Sequence, residues 1–226
     1  MTAARSVAVP IATPDRPLAR IVAWCGIVGP LALTAYFVAP LFLDWPFAGG
    51  TAATLSAYAL SHASFLYAGA WLQAVGSALS VTFFLGLVAL ARAAGRASGL
   101  IVLAGAISLL ALVLVEGVFM VAAPIAAASG DTAMAATVFT LANGVFVRAF
   151  AVVPAPATYA GLGMLLRDSA VVGPRLATSA LVIAIAFELA AFLSILHPAG
   201  AVLAIVLSVA QSLWIWSAAV ALLRRT

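Results

Sequence analysis

The chain has 226 residues, of which 66% are hydrophobic and only 7% are charged, and its mean hydropathy is +1.26. A soluble globular domain usually carries about 25% charged residues, so this composition excludes a water-soluble protein and predicts an integral membrane protein. The net charge of +4 is explained by arginines in cytoplasmic loops, and we expect no nucleic-acid partner.

The N-terminal part of the chain predicts a tail followed by a first membrane span. Residues 1–20 contain three arginines and three prolines, which is typical of a disordered cytoplasmic tail. The apolar run 21–43 is long enough to cross a hydrocarbon core of about 30 Å. It is longer than the core of a cleaved signal peptide, so we expect a retained span.

The rest of the chain predicts an all-α bundle of six transmembrane helices over residues 21–226, with both termini cytoplasmic. In the loop after the first span, Leu55, Tyr58 and His62 recur at helical spacing, which predicts a short interfacial helix. Five further apolar runs are each bounded by charged or turn-forming residues. Their ranges are 67–91, 99–127, 133–166, 176–196 and 201–223.

The arginines orient this bundle. With both termini inside, nine of the ten arginines fall on one side of the membrane and none falls in an outer loop, as the positive-inside rule requires. The composition lacks lysine and is rich in alanine, valine, glycine and arginine, which is typical of a high-GC bacterium. We therefore expect a multi-pass protein of a bacterial plasma membrane, in contact with membrane lipid. The nine inner arginines are Arg5, Arg16, Arg20, Arg92, Arg96, Arg167, Arg175, Arg224 and Arg225.

Three charged residues remain within the predicted spans, namely Glu116, Arg148 and Glu188. A charge at membrane depth costs about 2.5–3.5 kcal/mol or more, so these side chains should face one another or a wet cavity. Counted from the inner arginine of their own spans, Glu116, Arg148 and Gln73 lie nineteen or twenty residues deep. This shared height predicts a Glu116–Arg148 ion pair with Gln73 nearby.

Glu188 lies thirteen residues after Arg175, nearer the membrane midplane, and has no obvious cationic partner. A buried carboxyl group without a cation is cheaper in its protonated form, which makes Glu188 a candidate proton carrier. The alternatives are structural. Glu188 would then only hydrogen-bond a neighbouring helix, and the Glu116–Arg148 pair would only fix helix register.

The polar residues at the outer face are Asp44, His62 and His197. Together with Glu116 they could in principle ligate a metal, but their spacing matches no metal motif, and we predict neither a metal nor a cofactor. Pro154 and Pro156 interrupt the fourth span; they favour a kink, and the alternative is a broken helix that lines a cavity.

Two segments carry a resemblance to a known family. The loop after the fourth span reads Leu165-Leu166-Arg167-Asp168-Ser169 and then Pro174-Arg175-Leu176, and the last span contains Gln211 and Leu213-Trp214-Ile215. In these segments the chain resembles a family of bacterial six-span membrane proteins that is catalogued as a domain of unknown function. It departs from the family by one extra residue between serine and proline and by Ser212 in place of an acid. The resemblance implies six spans and assigns no catalytic residue.

No phosphate loop, dinucleotide fingerprint, serine elbow or paired metal-ligand motif occurs in the sequence. The charges within the spans favour binding or proton-linked transport of a small molecule or lipid, and the ligand would be apolar or amphipathic. A homodimer is expected with this function, because six spans are few for a carrier. One alternative is an intramembrane acid-base enzyme acting on a lipid or isoprenoid. The other is a structural or accessory subunit.

Overall fold

The fold consists of helices throughout the part of the chain that the structure describes. In a computed structural model, these residues are 16–46, 49–144, 149–169, 171–197 and 199–225. A short 3-10 turn, Ala39–Phe42, follows the first helix. The α-helices are α1 (Arg16–Val38), α2 (Ala52–Ser61), α3 (Ala63–Leu90), α4 (Ala97–Ala128), α5 (Thr132–Gly144), α6 (Pro154–Arg167), α7 (Pro174–Leu196) and α8 (Ala199–Leu223).

Five of these helices, α1, α3, α4, α7 and α8, are long and apolar enough to cross a membrane by length and composition. Their outward faces are apolar as well. Trp71 on α3 is 64% exposed, and Ile107 and Val118 on α4 are 61% and 64% exposed. Soluble monomers rarely expose large apolar patches, whereas lipid tails cover such faces readily. The described part of the chain therefore has the character of a helical multi-pass membrane protein.

In the N-terminal region the start of the first helix differs from the prediction, and the short helix after it agrees with the prediction. Helix α1 begins at Arg16, so it includes the last five residues of the predicted tail, and residues 1–15 lie outside the described part. The short helix predicted in the following loop is confirmed as α2. The Thr51 side chain caps α2 by accepting a hydrogen bond from the Thr54 amide at 3.2 Å.

Within the range 133–166, predicted as one span, the described residues include two α-helices, and residues 145–148 between them lie outside the described part. Helix α5 ends at Gly144 and α6 begins at Pro154. Pro154 and Pro156 fall among the first residues of α6, where the amide groups have no partner within the helix and a proline costs least. The proline pair therefore lies at the start of α6 rather than in its interior.

Six helices close into a ring. Helix α1 packs on α3 and α8, α4 packs on α3 and α6, and α7 packs on α6 and α8. The ring closes through α8, because the Trp216 indole donates to the Ile27 carbonyl at 2.8 Å and the Trp214 indole donates to the Leu176 carbonyl at 3.0 Å. Helix α5 lies outside the ring against α2 and α4.

Contacts between the helices also show which ends lie together. Val22 near the start of α1 lies against Gly86 near the end of α3, and Val102 near the start of α4 lies against Gly161 in α6. The helix ends that carry arginines therefore share one end of the bundle. The described arginines at that end are Arg16, Arg20, Arg92, Arg96, Arg167, Arg175, Arg224 and Arg225.

Candidate functional site

Glu116 lies on the face of α4 that packs into the bundle, and it is only 4% exposed. The Tyr36 hydroxyl, from α1, donates to Oε1 of Glu116 at 3.0 Å and lies 3.3 Å from the Met120 sulfur. The Gln73 side chain, from α3, lines the same small cavity as the Glu116 carboxyl group and lies beside it. The polar cluster therefore joins three helices, and we call Tyr36, Gln73 and Glu116 the polar triad.

The spacing of buried residues explains why Glu116 points inward. On α4, Val113, Glu116, Met120 and Ala123 are all buried, and positions three or four apart share one face of a helix. Glu116 therefore lies on the stripe that packs against α1 and α3.

Two glycines bring the other members of the polar triad close together. A Cβ atom at Gly29 of α1 would lie 2.8 Å from the carbonyl oxygen of Gly76 on α3, so the two backbones are in direct contact. Tyr36 lies about two turns after Gly29, and Gln73 lies about one turn before Gly76. Small residues allow helix backbones to approach in this way in membranes, so the glycine contact positions Tyr36 and Gln73 next to Glu116.

The hydrogen bonding of Gln73 is incomplete. Its side chain is 1% exposed, and its Oε1 atom is buried with no hydrogen-bond partner among the described residues. An unsatisfied buried acceptor costs about 1–3 kcal/mol. A carboxylic acid and a primary amide can form two reciprocal hydrogen bonds, with the acid O–H donating to the amide oxygen and the amide N–H donating to the acid carbonyl. A proton on Glu116 would therefore supply the donor that Gln73 lacks.

A small cavity adjoins the polar triad. Its volume is about 20 Å³, measured for the centre of a water molecule, and roughly 10–15 Å³ on this measure accommodates one water. Apolar side chains, among them Phe37, Phe84 and Phe150, form the rest of its wall. Its polar lining residues are Gln73, Ser77, Ser80, Glu116 and Gln211.

The structure does not bring Glu188 to this cavity. We expected Glu188 to face the bundle interior, but it is exposed on the outer face of α7. Phe187 and Ala191 are the buried residues beside it, and they fix which face of α7 packs inward. Arg148 lies outside the described residues, so the Glu116–Arg148 pair stays a prediction.

Two of the three outer-face polar residues, Asp44 and His62, lie near Tyr58. His62 stacks on Tyr58 with 4.1 Å between the ring centroids, and its Nδ1 lies 2.9 Å from the Ser61 hydroxyl. Burial raises the pKa of Tyr58, and the nearby charge of Asp44 raises that pKa further. His197 is exposed at the end of α7. Among the described residues, no three His, Cys, Asp or Glu side chains are grouped so that they could hold a metal ion.

The sequence did not predict a site role for Tyr36, Ser77, Ser80 or Gln211, which lie at or beside the cavity. Hydroxyl and amide groups are common in membrane helices, so their type alone gave no signal. A signal was available for Tyr36, because a buried tyrosine hydroxyl usually needs a polar partner and Glu116 is one of the few charged groups in the spans.

A second, larger concavity lies on the outer surface between α3 and α4. Its volume is about 600 Å³, and Trp71, Leu114, Gly117 and Val118 are among the residues that line it. Its walls are almost wholly apolar, so it is suited to contact with lipid tails.

No family model matches the chain, and no curated protein and no solved structure is significantly similar to it. The family resemblance of the loop after α6 and of α8 therefore stays a prediction.

Proposed function

We propose that this chain binds or carries a small molecule or lipid in exchange for a proton, and that Glu116 is the group that holds the proton. The observation that carries the proposal is the unpaired Oε1 atom of Gln73 beside the buried Glu116 carboxyl group. A proton on Glu116 would complete this hydrogen bonding.

The proposal includes the topology. The ring of six helices supports six membrane crossings, with α5 and α6 together forming the fourth. The shared end of the described arginines supports cytoplasmic termini in a bacterial plasma membrane. Membership in the six-span family that the sequence resembles is part of the same proposal.

The chemistry of exchange follows from the polar triad. When Glu116 is protonated, its O–H satisfies Gln73 and the site is neutral. When the proton leaves, the carboxylate keeps the Tyr36 hydroxyl as a donor, but the site then has a charge and a spare acceptor. A ligand that brings its own hydrogen-bond donor would stabilise this second state, so ligand and proton would compete for one site.

The test uses the full-length protein in liposomes that enclose a pH-sensitive dye. Small amphipathic compounds, including primary amines, alcohols and fatty acids, are added outside one at a time, and proton movement is recorded. We expect at least one compound to drive proton flux in the wild type and not in Glu116→Gln. Glu188→Gln is the matched control, because Glu188 lies outside the cavity, and it should retain the flux.

Other outcomes would favour the alternatives. Chemical conversion of an added lipid in detergent, without any gradient and dependent on Glu116, would favour an intramembrane enzyme. Absence of flux and of conversion, together with a lower melting temperature for Glu116→Gln, would favour a structural subunit.

A further inference from the structure

Glu188 is a carboxyl group on an otherwise apolar outer surface. The residues around it on the exposed face of α7 are large and apolar, with Ile185 61%, Leu189 62% and Phe192 63% exposed. Glu188 itself is exposed and has no hydrogen bond or ion pair with any residue that the structure describes. We call Val182, Ile185, Glu188, Leu189 and Phe192 the α7 face.

The position of Glu188 along α7 places it within the hydrocarbon. It lies fourteen residues after Pro174 and eight before Leu196, or about 21 Å and about 12 Å along the helix axis. A glutamate side chain is too short to reach the interface over either distance. Lipid tails offer no hydrogen bond, so a carboxyl group facing them would be unsatisfied.

Among the residues that the structure describes, the neighbouring elements do not supply the missing partner. Helices α6 and α8 pack on α7. The titratable side chain within their spans is Tyr159, whose ring stacks on Phe187 at 6.5 Å on the buried side of α7. The charged residues of α6 and of the segment after α8 are Arg167, Arg224 and Arg225, at the far end of the bundle.

We propose that the α7 face is the interface with a second copy of this chain, in which the two Glu188 carboxyl groups hydrogen-bond to each other. A protonated carboxyl group both donates and accepts, so two copies related by a two-fold axis satisfy one another through the same residue. Two-fold dimers with one surface used twice are the commonest oligomers. The exposed arginines that the structure describes lie at the helix ends. In a two-fold dimer through this face, Glu188 of one copy therefore contacts Glu188 of the other copy rather than one of these arginines.

This interface is independent of the cavity beside Glu116. Polar side chains that hydrogen-bond across membrane helices strengthen their association, and the apolar residues of the α7 face add packing contacts. The α7 face also leaves the ring of six helices intact, since it points away from α6 and α8.

The first test measures dimerisation in lipid bilayers by energy transfer between labelled copies. We expect the wild type and Glu188→Gln to dimerise, because glutamine also donates and accepts. Glu188→Leu should dimerise about tenfold more weakly, and the monomer should keep its fold because residue 188 is exposed within one copy. A monomeric wild type, or equal dimerisation of Glu188→Leu, would overturn the proposal.

The second test locates the interface by cross-linking. Cys25 is the only cysteine, so Cys25→Ser provides a background for Leu189→Cys and for the control Ile107→Cys, which is equally exposed on α4. We expect a homodimeric cross-link from Leu189→Cys and much less from Ile107→Cys. Equal cross-linking, or a cross-link in native membranes only to a different protein, would contradict a dimer through the α7 face.

Discussion

At the scale of single residues, the described part of the site depends on the hydroxyl group of Tyr36 beside the Glu116 carboxyl group. Tyr36 is 7% exposed, and its hydroxyl donates a hydrogen bond to the Glu116 carboxyl group, which is 4% exposed. The sequence allowed Glu116 to be singled out because charged groups are rare and costly at membrane depth, and Gln73 because it lies at the same depth as Glu116. It did not reveal Tyr36, because aromatic residues are frequent in such helices whether or not they meet a polar partner.

Replacement of Tyr36 by phenylalanine tests the value of this hydrogen bond. Tyr36→Phe removes the donor and leaves the ring, so we expect a loss of about 1 kcal/mol in the free energy of unfolding. The measurement is unfolding in detergent. Tyr67→Phe is the control, since Tyr67 is 43% exposed on α3, and an equal effect of the two variants would mean that the Tyr36 hydroxyl adds nothing.

At the scale of helices, the existence and approximate length of each long helix could be predicted from the sequence. Which face of a helix turns toward the bundle interior could not. The long apolar runs gave α3, α4, α7 and α8 to within a few residues, because a membrane demands about twenty apolar residues per crossing. A helix that is apolar all round carries no hydrophobic stripe to show which face turns inward. Both Glu116 and Glu188 were therefore expected to face the bundle interior, and only the packing of Met120 and Phe187 separates them.

The contact between α1 and α3 provides a test at this scale. Gly29→Ala would place a Cβ atom 2.7–2.8 Å from backbone and side-chain atoms of α3, so the helices must separate. We expect a loss of about 1–3 kcal/mol in the free energy of unfolding, together with a weakened polar triad.

Gly117→Ala is the matched control for this substitution. A Cβ atom at Gly117 meets its nearest neighbours at 3.9 Å, which is ordinary contact, and alanine favours a helix by up to about 1 kcal/mol over glycine. We therefore expect no loss for Gly117→Ala. Equal melting temperatures for the two variants would show that the α1–α3 contact is not tight.

At the scale of the whole molecule, short connections explain most of the ring and a long-range contact explains its closure. Helices joined by short loops, such as α3 with α4 and α7 with α8, pack side by side as expected. The packing of α8 on α1, fixed by Trp216 and Ile27, joins the two ends of the chain and had no signal in the sequence. The ring surrounds the small cavity, and both Glu116 and Gln211 line that cavity.

Infrared spectroscopy of the protein in lipid bilayers tests the central claim most directly, because a protonated carboxyl group has its own carbonyl stretching band. The Glu188→Gln background removes the other carboxyl group within the spans. We predict that the band is present in this background at neutral and mildly acidic pH and is lost when Glu116→Gln is added. Absence of the band from Glu188→Gln under these conditions would show that Glu116 is ionised, and would contradict a proton-holding role for the polar triad.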